Sequence, residues 1–173
     1  MIRRSLYAGT WTVAVGALLA APVLAQQGAT DGQWRAFAGD PGATKYSSLG
    51  QITKDNVADL TVVWRRPTVD TSILQHVPEA GERSLIGTPL MVDGVLYVTT
   101  NLGQIAAIDP TSGETLWSHD PALYLEGRPA VHGFLTRGLA YWTDGQAERI
   151  IWATGDAWLH AVDAATGEPV QEF

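Results

Sequence analysis

The chain has 173 residues, of which 46% are hydrophobic and 17% charged, and it carries a formal net charge of −7 and no cysteine. The hydrophobic fraction is high enough for a folded core, and the acidic balance lacks the basic surface typical of nucleic-acid binding. We therefore expect no nucleic-acid partner. A chain without cysteine also cannot hold a disulfide, a thiol nucleophile or an iron–sulfur cluster.

Residues 1–25 have the features of a signal peptide. Two arginines stand near the start, residues 13–21 are continuously apolar, and small residues precede a cleavage point after Ala25. The alternative is an uncleaved anchor, because the uncharged run from Ser5 to Thr30 is long enough to span a bilayer. We expect cleavage and export to the periplasm, an oxidising compartment that suits a chain without cysteine.

Two segments of the chain align without a gap at a shift of 54 residues. Residues 96–100 lie over residues 150–154, and residues 107–114 lie over residues 161–168. The second pair keeps an Ala, an Asp, a Gly and a Glu in register. Self-similarity at a fixed period indicates a repeated structural unit.

The residues after the signal peptide predict an all-β chain with one short helix over Thr53–Leu60, capped by Thr53. In the first copy, Asp93–Gly94 supplies the positive φ angles of a type I′ hairpin. In the second copy, turns are predicted at 155–156 and 164–167. The first copy is predicted to form four antiparallel strands: Thr88–Val92, Val95–Thr100, Gln104–Asp109 and Glu114–His119.

Repeated four-stranded antiparallel units are typical of β-propeller blades. Residues 26–173 hold fewer than three repeats of 54 residues, whereas closed propellers have about four to eight blades. An open stack of two to three blades would expose an apolar sheet face and a strand edge. We therefore expect residues 26–173 to be the N-terminal part of a longer propeller, and the chain to be truncated.

One motif carries a family resemblance. Residues 107–117 resemble the tryptophan-docking motif of quinoprotein dehydrogenases, Ala-x-Asp-x-x-Thr-Gly-Glu-x-x-Trp, with Ser112 in place of the Thr. In that family the Trp packs between neighbouring blades, the Gly forms a left-handed turn, and the Ala leaves room for the ring. The second copy has Gln171 at the position of the Trp.

Three further segments extend the resemblance over residues 31–173. Residues 34–64 look like the N-terminal signature of dehydrogenases that use pyrroloquinoline quinone (PQQ), and residues 88–97 resemble their first-blade hairpin. Residues 137–142 resemble their Arg-Gly-Val/Leu-Ala-Tyr-Trp segment near the quinone. The chain thus resembles the N-terminal quarter to third of PQQ-dependent alcohol and glucose dehydrogenases, a family whose members form eight blades.

The resemblance implies an enzyme in which PQQ, coordinated to Ca²⁺, accepts a hydride from an alcohol or an aldose. It implies that electrons pass to ubiquinone or a cytochrome, and it leaves peripheral membrane association open. The calcium ligands and the catalytic aspartate of the family are expected beyond residue 173, so no catalytic or metal-binding residue is assigned here.

Arg137 is the one cofactor-binding residue that the resemblance assigns in this chain. Its planar guanidinium could donate to the quinone oxygens and stabilise charge that develops on them. The alternative is an ion pair in a connecting loop with Asp144.

Two departures separate the chain from its relatives: Ile86 replaces a glutamate that contacts the quinone, and Val131–His132 stands where alcohol-oxidising members often carry adjacent cysteines. The absence of the adjacent cysteines favours a sugar-dehydrogenase-like or uncharacterised branch. For His132, we prefer a histidine with satisfied hydrogen bonds in a loop over a histidine near the face of the cofactor.

The other polar and aromatic candidates are assigned structural roles. Asp109 and Asp163 occupy equivalent repeat positions and are predicted to form turns by accepting bonds from local backbone N–H groups. No metal-ligand spacing relates three of the histidines: His76, His119 and His160. Packing between blades is predicted for three tryptophans: Trp64, Trp152 and Trp158.

The leading hypothesis is therefore the N-terminal part of a periplasmic PQQ-dependent dehydrogenase, whose isolated 173-residue piece we expect to be inactive. The rival hypothesis is a non-enzymatic propeller of the same repeat that acts as an envelope assembly scaffold. A third is a sequencing or gene-calling product without independent function. The absence of a lipobox cysteine and the segment around Arg137 favour the enzyme.

Overall fold

The computed structural model describes residues 28–75, 77, 86–130 and 133–171. The predicted signal peptide over residues 1–25 lies outside them. One sheet has four antiparallel strands in sequence order: Leu90–Val92 (β1), Val95–Thr99 (β2), Ile105–Ile108 (β3) and Thr115–His119 (β4). A second sheet has three: Ala140–Thr143 (β5), Glu148–Ala153 (β6) and Leu159–Asp163 (β7). The predicted all-β class and its antiparallel units are confirmed.

The hairpin between β1 and β2 turns at Asp93 and Gly94, whose φ angles are +47° and +82°. Positive φ at both central residues is the signature of a type I′ turn, so the predicted turn is confirmed. This turn brings Val92 opposite Val95. The register shifts once, between Ala107 and Ile108 where β3 pairs with β4.

Both repeats close their last turn in the same way. The backbone N–H of Asp109 donates to the carbonyl of Glu114, and that of Asp163 donates to Glu168, each at 2.9 Å. Each aspartate carboxylate also accepts bonds from the backbone N–H groups two and three residues further on. The predicted turn-forming role of both aspartates is confirmed.

A fourth strand begins beside β7 in the second sheet. Val162 bridges Pro169, and the N–H of Val170 donates to the carbonyl of Ala161 at 3.0 Å. The second repeat therefore follows the four-strand plan of the first.

Helical structure among the described residues is confined to short segments. The predicted helix over Thr53–Leu60 is only a 3-10 turn at Val57–Asp59, because the side chain of Asn56 accepts the N–H of Thr53 at 2.7 Å and draws the preceding residues into a turn. Two further segments, Thr71–Leu74 (α1) and a 3-10 turn at Leu123–Glu126, were not predicted. None of the helices in the described residues is long and apolar enough to cross a membrane.

The core lies between the two sheets. Leu90 and Val92 of β1 pack in one buried cluster with Ile150 of β6 and Val162 of β7. Each of these side chains is at most 2% exposed, and burial of such a side chain stabilises the fold by about 1.5–3 kcal/mol. The interface between the repeats therefore removes these four side chains from solvent.

Tryptophans fasten each repeat to the next. The indole N–H of Trp117 donates to the carbonyl of Ala164 at 3.1 Å, and that of Trp64 donates to Pro110 at 2.9 Å. Pro110 and Ala164 are equivalent repeat positions, so Trp64 docks on the first repeat as Trp117 docks on the second. Trp152 is buried and donates to Gly103 of the first repeat at 2.8 Å. The predicted packing of these tryptophans between blades is confirmed.

Trp158 does not pack between the two described blades, so its predicted packing stays a prediction. Its side chain is 67% exposed. The preceding residue, Ala157, has a left-handed φ of +70° in the turn after β6.

The two sheets are arranged radially. Thr88 and Gly138, which precede β1 and β5, form a parallel bridge, whereas Trp117 of β4 docks on the turn that follows β7. Adjacent propeller blades have this order, with their first strands together on the inside. We call the side of β1 and β5 the inner edge. Its two ends are the Arg137 end, at the Thr88–Gly138 bridge, and the hairpin end, at the Asp93–Gly94 turn.

Candidate functional site

Arg137 lies directly before the bridge that joins the inner strands of the two repeats. Its neighbour Gly138 pairs with Thr88, and the backbone at Gly138 has a φ of +157°. The turn after β6 reaches the same end, because β6 runs antiparallel to β5. The pairing of the strands therefore places Arg137 and the turn after β6 at the same end of the inner edge.

The guanidinium of Arg137 is exposed and forms no ion pair within the described residues. Asp144, the alternative partner, lies beyond the opposite end of β5 and is occupied by its own turn. There the backbone N–H groups of Ala147 and Gln146 donate to its carboxylate and hold the pKa of Asp144 below its ordinary value. Within the described residues, no hydrogen bond or ion pair occupies the guanidinium of Arg137, so its donors can face a ligand.

A pocket of about 230 Å³ surrounds this arginine. It is lined by Leu135, Arg137, Gly138, Ala153, Thr154 and Gly155. We call it the Arg137 pocket. A methyl group on Gly155 would lie 2.1 Å from the carbonyl oxygen of Gly133, so only glycine allows the two loops that form the wall to pack this closely.

Polar groups flank the Arg137 pocket. Thr136, which precedes Arg137 and does not itself line the pocket, is 1% exposed, and its hydroxyl has no hydrogen-bond partner in the described part of the chain. The hydroxyl of Thr154 lies 3.0 Å from Nε2 of His160 and donates to the carboxylate of Asp156. Ile86 precedes the bridging Thr88 by two residues and is 48% exposed, so no carboxylate stands at that position to neutralise Arg137.

The structure also shows a histidine pair that the sequence analysis missed. Trp152 lies between His160, stacked on it with ring centroids 5.0 Å apart, and His119, edge-on at 5.8 Å. Burial lowers the pKa of both imidazoles. Trp152 and His160 are paired residues on β6 and β7, a relation that the repeat register could have shown.

The described residues contain no group of three or more His, Cys, Asp or Glu side chains that could hold a metal ion. His76 and Val131–His132 lie outside the described residues, so their predicted roles stay predictions.

Fold and site together define a class of protein. The described residues form parts of a β-propeller whose blades are locked by docking tryptophans, with an unpaired arginine at the inner edge. The sequence matches the family described as "PQQ: Glucose/ethanol/alcohol dehydrogenase, beta-propeller domain" over residues 34–173. The chain belongs to this family.

Individual relatives agree with the family match. The chain is 34% identical over 145 residues to the 1-butanol dehydrogenase (cytochrome c) of Thauera butanivorans, which covers 83% of this chain and 19% of the relative. It is 34% identical over 146 residues to the dehydrogenase subunit of the alcohol dehydrogenase (quinone) of Gluconobacter oxydans, covering 83% and 17%. The chain thus spans about a fifth of the length of these relatives.

A solved structure supports the fold. The crystal structure of quinohemoprotein alcohol dehydrogenase from Comamonas testosteroni superposes with a TM-score of 0.60 at 30% identity, covering 80% of this chain and 18% of that one. These three relatives are named as alcohol dehydrogenases, whereas the description of the matched family includes glucose dehydrogenases, so the predicted sugar-type branch stays a prediction.

Proposed function

We propose that this chain supplies the first blades of a periplasmic PQQ-dependent dehydrogenase that oxidises an alcohol, with an aldose as the alternative substrate. The unpaired guanidinium of Arg137 at the inner edge carries the proposal. The similarity to alcohol dehydrogenases along most of the chain supports an alcohol as the substrate.

The residues present fit a polyanionic quinone. Arg137 offers planar paired donors that match carboxylate or adjacent carbonyl oxygens. Ile86 places no anion at its position to compete for that charge, and the close packing of Gly155 on the carbonyl of Gly133 fixes the wall of the pocket. Among the described residues that line the Arg137 pocket, Arg137 is the one cation, so it supplies the electrostatic attraction of the pocket for an anion.

Bound PQQ would supply the hydride-accepting carbonyl of the reaction. Arg137 would orient the quinone and stabilise negative charge that develops on its oxygens. Leu135 and Ala153, which line the same pocket, would exclude water from one side of the ring. Ca²⁺ is proposed as the Lewis acid of the complete enzyme, held by residues beyond 173.

Export and electron transfer complete the proposal. Cleavage after Ala25 would release the protein to the periplasm, and the relatives named above support electron transfer to a cytochrome or to ubiquinone. The rival assignment, an envelope assembly scaffold, would not require an arginine such as Arg137, without an ion-pair partner in the described residues, at the inner edge.

The experiment is PQQ binding to the full-length apoprotein, measured by quenching of tryptophan fluorescence. Arg137→Ala removes a charge-assisted pair of hydrogen bonds worth about 1.5–3 kcal/mol, so we expect affinity to fall about 10- to 100-fold. Arg137→Lys keeps the charge but loses the planar donor pair, and its affinity should lie between the two.

Arg149→Ala is the matched control. Arg149 is a cation on the same sheet whose guanidinium lies 4.9 Å from the ring centroid of Trp142, outside the Arg137 pocket. We expect it to leave PQQ affinity unchanged. Equal losses in both variants, or no quinone binding by the wild type, would exclude the assignment of Arg137.

A further inference from the structure

The turn after β6 forms one wall of the Arg137 pocket, to which it contributes Thr154 and Gly155. The N–H of Thr154 donates to the carbonyl of Trp158 at 3.0 Å, and the N–H of Ala157 donates to the carbonyl of Thr154 at 3.1 Å. Thr154 is 6% exposed. Backbone hydrogen bonds on both sides therefore hold this threonine in a fixed, buried position at the wall.

The hydroxyl of Thr154 joins two further side chains. It donates to the carboxylate of Asp156, and its oxygen lies 3.0 Å from Nε2 of His160. A hydroxyl has one hydrogen and an ionised carboxylate can only accept, so the bond to His160 requires a hydrogen on Nε2. Neutral His160 is therefore the Nε2–H tautomer, and Nδ1 is the atom that can take up a proton.

The imidazole of His160 is also held from one face. Its ring stacks on Trp152 with an interplanar angle of 23° and centroids 5.0 Å apart. The indole N–H of Trp152 in turn donates to the carbonyl of Gly103 in the first repeat at 2.8 Å. Because an aromatic face attracts a cation, the protonated ring can keep this position. Proton uptake would therefore change the charge beside the wall without moving the ring.

The charges that face His160 leave it neutral near pH 7. Burial lowers the pKa of His160, Asp156 in the same turn raises it, and His119 on β4 of the first repeat lowers it. Burial also lowers the pKa of His119, against the effect of Asp120 and Glu168. A further negative charge held near the turn would favour the imidazolium form of His160.

The Arg137 pocket is the place where such a charge would lie. Arg137 attracts an anion, and Thr154 and Gly155 line the same cavity of about 230 Å³. A ligand that fills this cavity contacts both the arginine and the turn. Its negative charge would then lie against the residue that is hydrogen-bonded to His160.

We propose that an anionic ligand binds in the Arg137 pocket together with a proton, which is taken up at Nδ1 of His160. The proton comes from solvent as the ligand enters and returns to solvent when the ligand leaves. Arg137 is charged at all times, whereas His160 becomes charged in the complex. That the ligand is the quinone rests on the proposed function.

The test measures proton uptake when PQQ binds to the full-length apoprotein. Calorimetric titrations at pH 6.5, in two buffers of different ionisation enthalpy, give the number of protons taken up. We expect the wild type to take up about half a proton more than His160→Gln. Between pH 8 and pH 6, the affinity of the wild type should rise about fivefold more than that of the variant. The amide of the introduced glutamine can still donate to Thr154, so the variant loses the titrating group and keeps the bond.

His119→Gln is the matched control. His119 contacts the same indole of Trp152, edge-on at 5.8 Å, whereas the bond to Thr154 belongs to His160. We expect His119→Gln to keep the proton uptake of the wild type. Equal losses of uptake in the two variants would overturn the assignment to His160, and so would equal uptake in the wild type and His160→Gln.

A second measurement needs the wild type alone, in case His160→Gln does not fold. NMR titration of the imidazole Cε1–H signals, with and without PQQ, should show that PQQ raises the pKa of His160 more than that of His119. An unchanged titration of His160 would overturn the inference. PQQ binding without proton uptake by His160 would refute this inference alone. A wild type that binds no PQQ would refute the proposed function and this inference with it.

Discussion

The turn after β2 and the turn after β6 occupy equivalent places in the two repeats, and their backbones agree closely. Gly103 and Ala157 are equivalent and have left-handed φ angles of +80° and +70°. The next residue is Gln104, 5% exposed, in the first repeat and Trp158, 67% exposed, in the second. The comparison teaches that the repeat fixes the path of the backbone, whereas the neighbours of each turn decide which side chains are buried.

The largest expected effect comes from the docking glycine of the second repeat. Gly167 has a φ of +76°, and a methyl group there would lie 2.5 Å from the ring of Trp117. Gly167→Ala combines backbone strain with a clash, so the free energy of unfolding should fall by about 3 kcal/mol in denaturant titrations. Gly94→Ala is the control, since Gly94 has a φ of +82° with open space around it and should cost about 1 kcal/mol. Equal losses would mean that docking adds nothing to the strain.

Next in size is the loss of the docking hydrogen bond. Trp117→Phe removes the indole N–H that donates to Ala164 and leaves a small cavity, so we expect a loss of about 2 kcal/mol in the free energy of unfolding. Trp142, 40% exposed, offers the comparison: Trp142→Phe should cost about 0.5 kcal/mol or less. A larger effect at Trp142 would contradict the assignment of Trp117 as the fastening residue.

Exchanging the residues of the two equivalent turns sharpens the comparison further. Gly103→Ala would place a methyl group 2.7 Å from Cγ2 of Thr154 and should destabilise the protein by about 2 kcal/mol. Ala157→Gly relieves the strain of a left-handed φ, but glycine also gives the unfolded chain more conformational entropy. The net effect should be a stabilisation of the protein by about 0.5 kcal/mol. Thermal unfolding of both variants measures the difference. Effects of the same sign would show that the two turns are not equivalent.

The smallest effect is a pH dependence at the interface between the repeats. Burial lowers the pKa of His119 and of His160 below the unfolded value of about 6.5. The unfolded chain therefore binds more protons as the pH falls through that value, and stability is lost on acidification. Asp120 and Glu168 face His119 and Asp156 faces His160, and these carboxylates oppose the shift without reversing it.

Unfolding midpoints between pH 5 and 8 test this dependence. In His160→Gln, the unfolding midpoint should fall less steeply with decreasing pH below about pH 6.5 than it does in the wild type. Above that pH, where the imidazole is neutral in both states, the midpoint of the variant should not change with pH through this residue. A slope identical to that of the wild type would show that His160 takes no part in the titration.

Much of the fold could be predicted from local chemistry. The Asp93–Gly94 turn follows from residues that tolerate positive φ, and the turns at Asp109 and Asp163 follow from carboxylates that bond their own backbone. The docking role of Trp117 could be predicted from its motif. The helix at Thr53–Leu60 was overestimated, because the side chain of Asn56 accepts the N–H of Thr53 and diverts the backbone there.

The sequence by itself determined the period of 54 residues, the antiparallel units and the presence of Arg137 near the start of an inner strand. These features are set within a few residues by backbone sterics and turn hydrogen bonds. Four properties appear only in the folded molecule: Arg137 has no ion-pair partner within the described residues, Trp158 is exposed, His119 and His160 both contact Trp152, and the guanidinium of Arg35 lies over the ring of Tyr141. The physical reason is that these properties depend on contacts between segments tens of residues apart, which no local pattern records.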